Sequence, residues 1–116
     1  MGFFGKDHAQ NAHGMVYGGQ MPHADLTHEL LAGAVGFEAM RMYEHHRERE
    51  GIVEHHELGK ELIASFAAAE LEKHFETGRC GHLARGQARL LALQQAHGLY
   101  DQRYSQFYPQ GYQQGY

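Results

Sequence analysis

Leu26-Thr-His-Glu-Leu-Leu-Ala-Gly-Ala-Val-Gly-Phe-Glu-Ala-Met-Arg-Met-Tyr43 is the stretch on which the fold turns. At about 100° per residue, Leu26, Leu30 and Phe37 share one side of a helix. Leu31, Val35 and Met42 share a second side, and Ala32, Gly36, Ala39 and Tyr43 a third. A helix that is apolar on three sides is either central to its fold or a contact between subunits. The small residues Ala32, Gly33, Ala34 and Gly36 include two glycines that lower helix propensity. They make sense where another helix approaches the backbone closely. Asp25 or Thr27 can cap this helix, and Glu29 places negative charge near its positive end. The pattern runs to about Glu50, where Gly51 stops it, and its last turns from Glu44 are polar.

Downstream, a second helix is predicted from about Glu54 to Thr77, with Gly78 as its stop. Leu58, Leu62, Phe66 and Ala69 line one face, flanked by Ile63 and Ala67, and Gly59 is a weak point in the first turns. A third helix is predicted from about His82 to Tyr104. Its stripes are Leu83, Leu90, Leu93 and Tyr100 on one side, and Ala84, Ala88, Leu91 and Ala92 on another. No stretch alternates with period two, so no strand is expected. The expected fold class is all-α, with three principal helices in an antiparallel bundle spanning residues 23–104. Residues 1–22, rich in Gly, His, Asn and Gln, read as an extended N-terminal arm that Pro22 closes. Phe3, Phe4, Met15, Val16 and Tyr17 are its candidates for docking on a core. Residues 105–116 form a low-complexity Tyr/Gln/Gly tail with Tyr108, Tyr112 and Tyr116 at a four-residue spacing.

A chain of 116 residues allows one domain, or one domain plus a tail. Ten Lys and Arg against fourteen Asp and Glu leave a net charge of −4, which argues against nucleic acid as a partner. The longest apolar run, Leu30 to Phe37, is eight residues and too short to cross a bilayer, so no membrane partner is expected. The N-terminus lacks the apolar core of a secretory signal, and Lys6 stands where a myristoylation motif wants Ser or Thr. One cysteine, Cys80, excludes an internal disulfide and fits a reducing, cytoplasmic setting. The surplus apolar surface of the first helix suggests a homo-oligomer, most simply a dimer.

Three segments carry a family resemblance. His23-Ala-Asp-Leu-Thr-His-Glu-Leu-Leu-Ala-Gly-Ala-Val-Gly-Phe-Glu-Ala-Met40 resembles the core signature of the fungal CipC-like antibiotic-response proteins. Gly59-Lys-Glu-Leu-Ile-Ala-Ser-Phe-Ala-Ala-Ala-Glu70, with its Glu76-Thr-Gly78 turn, and Leu99-Tyr-Asp-Gln-Arg-Tyr104 are similar to later parts of that family. So is Met1-Gly-Phe-Phe4 at the start. The resemblance implies a small intracellular protein associated with stress or antibiotic response. It carries no catalytic residue to transfer, so chemistry has to be argued from the residues themselves.

Known catalytic and metal spacings are absent. His28-Glu29 and His56-Glu57 each lack the second histidine of His-Glu-x-x-His, and Glu-x-x-His does not occur. A single cysteine cannot build a paired-cysteine zinc site. Cys80 and His82 are close in sequence, but a lone cysteine is more often a small packed hydrophobe. Eleven histidines are several times the ordinary share. His45, His46, His55 and His56 crowd the polar end of the first helix and read as weak surface metal ligands. His28, His74 and His97, one per helix, lie on or beside apolar faces. They are the candidate ligands for haem or a first-row transition metal, with Glu29, Glu38 and Glu70 as the carboxylates that would orient them. Glu38 lies between Phe37 and Ala39, so its carboxylate needs a partner, and Arg41 or a histidine is the natural one. Two functions compete. One is a metal- or haem-binding stress-response protein. The other is a non-catalytic, self-assembling interaction protein whose histidines are incidental. An enzyme without cofactor ranks third, because no nucleophile–base–orienter set is visible.

Overall fold

A computed structural model of the chain describes residues 6–19, 21–51, 56–78 and 80–104, excepting the side chains at 23 and 56. Among these residues there are four α-helices: α1 (Lys6–Tyr17), α2 (His28–Glu50), α3 (His56–Glu76) and α4 (Arg85–Tyr104). A short 3-10 turn covers His23–Asp25, and the described residues contain no strand. The all-α reading holds, but the described residues form four α-helices where three principal ones were expected. The expected tail, 105–116, lies outside the described residues, as do Phe3 and Phe4.

The extended arm is the correction. Most of it is α1. Asp7 sits in the first turn, where a negative charge favours the helix dipole, and Ala9, Ala12 and Val16 are buried on one face. That stripe is built mostly from alanine, so it carries little hydrophobicity, and Gly14 with the polar residues around it hides the period. A helix this short owes its stability to packing rather than propensity, and α1 packs along α2. Of the docking candidates described, Val16 is buried, Tyr17 is half-buried and Met15 stays exposed.

Helix α2 is bounded much as its sequence implies. The Thr27 hydroxyl accepts from the Leu30 N–H at 3.1 Å, and Gly51 closes the helix at φ +94°, donating its N–H to the Arg47 carbonyl at 2.9 Å. The helix is central, packed against α1, α3 and α4. Leu31 through Gly36, Ala39, Met40 and Tyr43 are all buried. Most of its apolar surface is therefore covered within one chain, while Leu30, Phe37 and Met42 stay half-buried.

The small residues mark close approaches. A methyl placed on Gly36 would meet Gln95 Cβ at 3.0 Å and the Ala96 backbone nitrogen at 3.3 Å. Gly59, a weak point by propensity, is buried inside α3 because the Tyr100 and Tyr43 hydroxyls lie against it. Tyr43, Tyr100 and Tyr104 pack ring against ring, with centroids 5.0 to 5.6 Å apart. Contacts of His28 with Ala84, Gly36 with Gln95 and Glu44 with Arg103 advance together, so α2 and α4 run in the same direction. Lys60 pairs with Asp101 and Glu72 with Arg85, so α3 runs opposite to α4.

Hydrophobicity placed two faces only in part: Ile63 and Ala67 on α3 and Ala88, Ala92 and Tyr100 on α4 are buried as expected, but Leu58 and Leu90 are not. On α3 the buried side chains are Ile63, Ala67, Glu70, Leu71 and His74, while Leu58 is 52% exposed and Ala69 is exposed. On α4 they are Ala88, Ala92, Gln95, Ala96, Leu99, Tyr100 and Tyr104, while Leu90 is 56% exposed. Small residues, Gly59 and Ala67 on α3 and Ala88, Ala92 and Ala96 on α4, take up much of each buried face. Closely spaced axes accept alanine and glycine and leave larger side chains to the flanks.

Candidate functional site

Among the described residues, a set of chemically capable side chains lies where α1, α2 and α3 meet. The spacing of His13 and Tyr17, four residues apart, puts both on one side of α1, and their rings stack at 4.4 Å. His13 Nε2 donates to Glu38 Oε1 at 2.8 Å, and Arg41 Nη1, one turn along α2, donates to the same oxygen at 2.8 Å. Glu38 therefore has both of the partners its position demanded. The Phe37 ring sits 5.1 Å from the His13 ring and keeps that pair half-buried.

Toward α3, the Tyr17 hydroxyl donates to Glu70 Oε1 at 3.1 Å, and its ring meets His74 edge-on at 5.0 Å. Glu70 and His74 are each 6% exposed, one turn apart on the buried face of α3. A carboxylate so buried is costly unless bonded. Lys73 Nζ supplies a second donor, to Glu70 Oε2 at 3.0 Å. That hydrogen bond, and then the charge of Glu70, hold the exposed Lys73 ammonium above its ordinary pKa. The result is a polar clasp, His13–Glu38–Arg41 and Tyr17–Glu70–Lys73, that fastens α1 to its two neighbours.

A second set stitches the turn before α4 to the start of α2. Among its residues, His82 Nε2 donates to the Leu26 carbonyl at 2.8 Å, and the Ala84 N–H donates to His28 Nε2 at 2.9 Å. The Nε2 lone pair of His28 is thus engaged by a backbone donor. Cys80, in the same turn, is fully buried and behaves as a packed hydrophobe.

The histidines singled out from sequence have separate settings. His28 faces the Ala84 amide, His74 faces Tyr17, and His97 is half-buried on α4. Among the described residues, no three of His, Cys, Asp and Glu are grouped so as to hold a metal ion. Glu29 is exposed in the first turn of α2, while Glu38 and Glu70 belong to the clasp. Of the four surface histidines, His45 is exposed and His46 is half-buried, its ring 6.3 Å from that of Phe66. His55 and the His56 side chain lie outside the described residues. Sequence reasoning missed His13 and named Tyr17 only as a docking residue, because it read their segment as extended. The signal was present in Ala9, Ala12, His13, Val16 and Tyr17, spaced at three and four residues along one side of a helix.

No helix among the described residues is long and apolar enough to cross a membrane. No curated protein and no solved structure matches the chain. A family model described as "virulence factor CipC-like" does match, over residues 12–103. That span begins within α1, holds the whole of α2 and α3 and ends one residue short of the end of α4, and the chain belongs to this CipC-like family.

Proposed function

We propose that this chain is a non-catalytic interaction protein of a stress or antibiotic response, a helical scaffold that self-associates through its Tyr/Gln-rich segment 105–116. The observation that carries this reading is where the reactive side chains are engaged. His13, Glu38, Tyr17 and Glu70 are bonded to one another across helices, and His28 and His82 to backbone groups. Groups held in this way position helices. An up-and-down antiparallel bundle is the arrangement this scaffold takes, and the reducing cytoplasm suits its single buried cysteine. A dimer is the simplest closed assembly.

Haem or a first-row transition metal held by His28, His74 and His97 is the alternative proposal. Elemental analysis and absorbance of the full chain, with sedimentation of the chain with and without 105–116, separate the two. A colourless, metal-free protein whose self-association is lost on truncation, with helix content unchanged, supports the scaffold. Stoichiometric metal or a Soret band, diminished by His74→Ala and retained by His45→Ala, overturns it in favour of the alternative.

A further inference from the structure

We infer that the cleft between α1 and α4, floored by α2, is a binding site for a single-chain amphiphilic anion, an apolar body carrying one carboxylate or phosphate head. The cleft has a volume of about 380 Å³, within the usual range for small-molecule sites, roughly 300–1,000 Å³. At roughly 30 Å³ per water-sized group, it holds a body of about a dozen heavy atoms. Its floor is apolar. Met40 and Leu99 contribute and are otherwise shielded from solvent, at 8% and 4% exposed, with half-buried Phe37 beside them.

Its rim is cationic. Lys6 enters from the first turn of α1, Arg41 from α2 and Arg103 from α4, against one lining carboxylate, Glu44. This excess of positive charge stands out on a chain of net charge −4. Arg41 engages Glu38 through Nη1, and Arg103 engages Glu44 through Nε at 3.1 Å. Each guanidinium carries further N–H donors that can accept an anionic head. Lys6 has no carboxylate partner among the described residues. Three cations beside a low-dielectric floor focus potential on whatever lies between them. An apolar body over Met40 and Leu99 with its head among Lys6, Arg41 and Arg103 satisfies both halves of the cleft. A neutral hydrocarbon would leave Lys6 without an anion, and a simple phosphate would leave the floor wet.

The test uses dodecanoate, below its micelle concentration, titrated calorimetrically into the full chain at low salt. The expected result is saturable binding of one molecule per chain, weakened by added salt, with no binding of dodecyltrimethylammonium. Lys6→Glu and Arg103→Gln are each expected to weaken binding about five-fold or more, the scale of one lost charge contact. Lys60→Gln, outside the cleft, should leave it unchanged. Lys6→Glu is the informative variant, because an acid in the first turn of α1 favours the helix; lost binding there is not lost folding. Absence of saturable binding, equal binding of the cationic amphiphile, or unchanged affinity in both cleft variants would overturn the assignment. So would pelleting with phosphatidylserine vesicles in the absence of dodecanoate binding, which would point to a membrane surface instead.

Discussion

Replacing four glycines by alanine, one at a time, should give effects of opposite sign. Gly14 and Gly86 lie in α1 and α4 with nothing within 4 Å of an added methyl. Alanine there lowers the backbone entropy lost on folding, a gain of about 0.5–1 kcal/mol. Gly36 and Gly59 receive the same gain but have no room. At Gly36 the obstacles are Gln95 Cγ at 2.5 Å, its Cβ at 3.0 Å and the Ala96 backbone nitrogen at 3.3 Å. Gln95 is fully buried, and neither a Cβ nor a backbone nitrogen can swing aside. At Gly59 the methyl meets the Tyr100 hydroxyl, with Tyr100 Cζ and the Tyr43 hydroxyl both at 2.9 Å. Those rings are held by each other and by Tyr104. Overpacking of this kind costs about 1–3 kcal/mol, so the net effect at Gly36 and Gly59 is a loss of about 1–2 kcal/mol. At about 4–8 °C per kcal/mol for a domain near this size, the two pairs should separate by several degrees in Tm. Urea denaturation followed by far-UV circular dichroism measures both signs, and an unchanged m-value confirms that only stability moved. Stabilisation by Gly36→Ala or Gly59→Ala, matching Gly14→Ala, would show that α4 does not approach α2 or α3 as closely as described.

Three further perturbations address the clasp, the stitch and the cap. Tyr17→Phe removes one of two donors to the buried Glu70 carboxylate, and should cost about 1.5–3 kcal/mol. Hydrogen exchange should show the loss concentrated in α1, and equal acceleration across α4 would contradict the clasp. His28→Ala leaves the Ala84 N–H without its acceptor; a cost of about 0.5–1.5 kcal/mol is expected, with faster exchange of that amide as the direct readout. Thr27→Ala removes the cap on the Leu30 N–H and should lower stability by about 1 kcal/mol, whereas Thr27→Ser should restore most of it.

The elements that were legible in sequence carried their own boundary signals. Thr27, Gly51 and Gly78 are capping and stop residues whose effect is local, and α2 and α3 end close to where they point. The centrality of α2 was legible because apolar residues on three sides leave few alternatives. Glu38 was legible as a paired carboxylate for a similar reason, its position between the apolar residues Phe37 and Ala39. α1 was not, because alanine contributes both to a buried stripe and to ordinary polar helices, and only contact with α2 distinguishes them. His13 was lost with it, and Tyr17 was foreseen as a docking ring but not as a donor to Glu70. His28 and His74 were recognised as residues with something to do, but their partners, the Ala84 amide and the Tyr17 ring, lie 56 and 57 positions away in the chain.

By itself the sequence determined the helical class, the ends of α2 and the close approach at Gly36, because propensity, capping and side-chain size act within a few residues. Tertiary structure decided how α3 and α4 are rotated. Hydrophobicity favoured Leu58 and Leu90 as core positions, yet both are more than half exposed, and the buried faces combine Gly59, Ala67, Ala88, Ala92 and Ala96 with Ile63, Leu71, Leu99 and Tyr100. Rotation of a helix depends on how near its neighbour's axis lies, and that distance is set jointly by the residues of both helices. The same joint dependence placed His13 against Glu38, Tyr17 against Glu70 and three cations around one cleft. No single segment encodes those meetings, so the chemistry of this protein became readable only when its helices were packed.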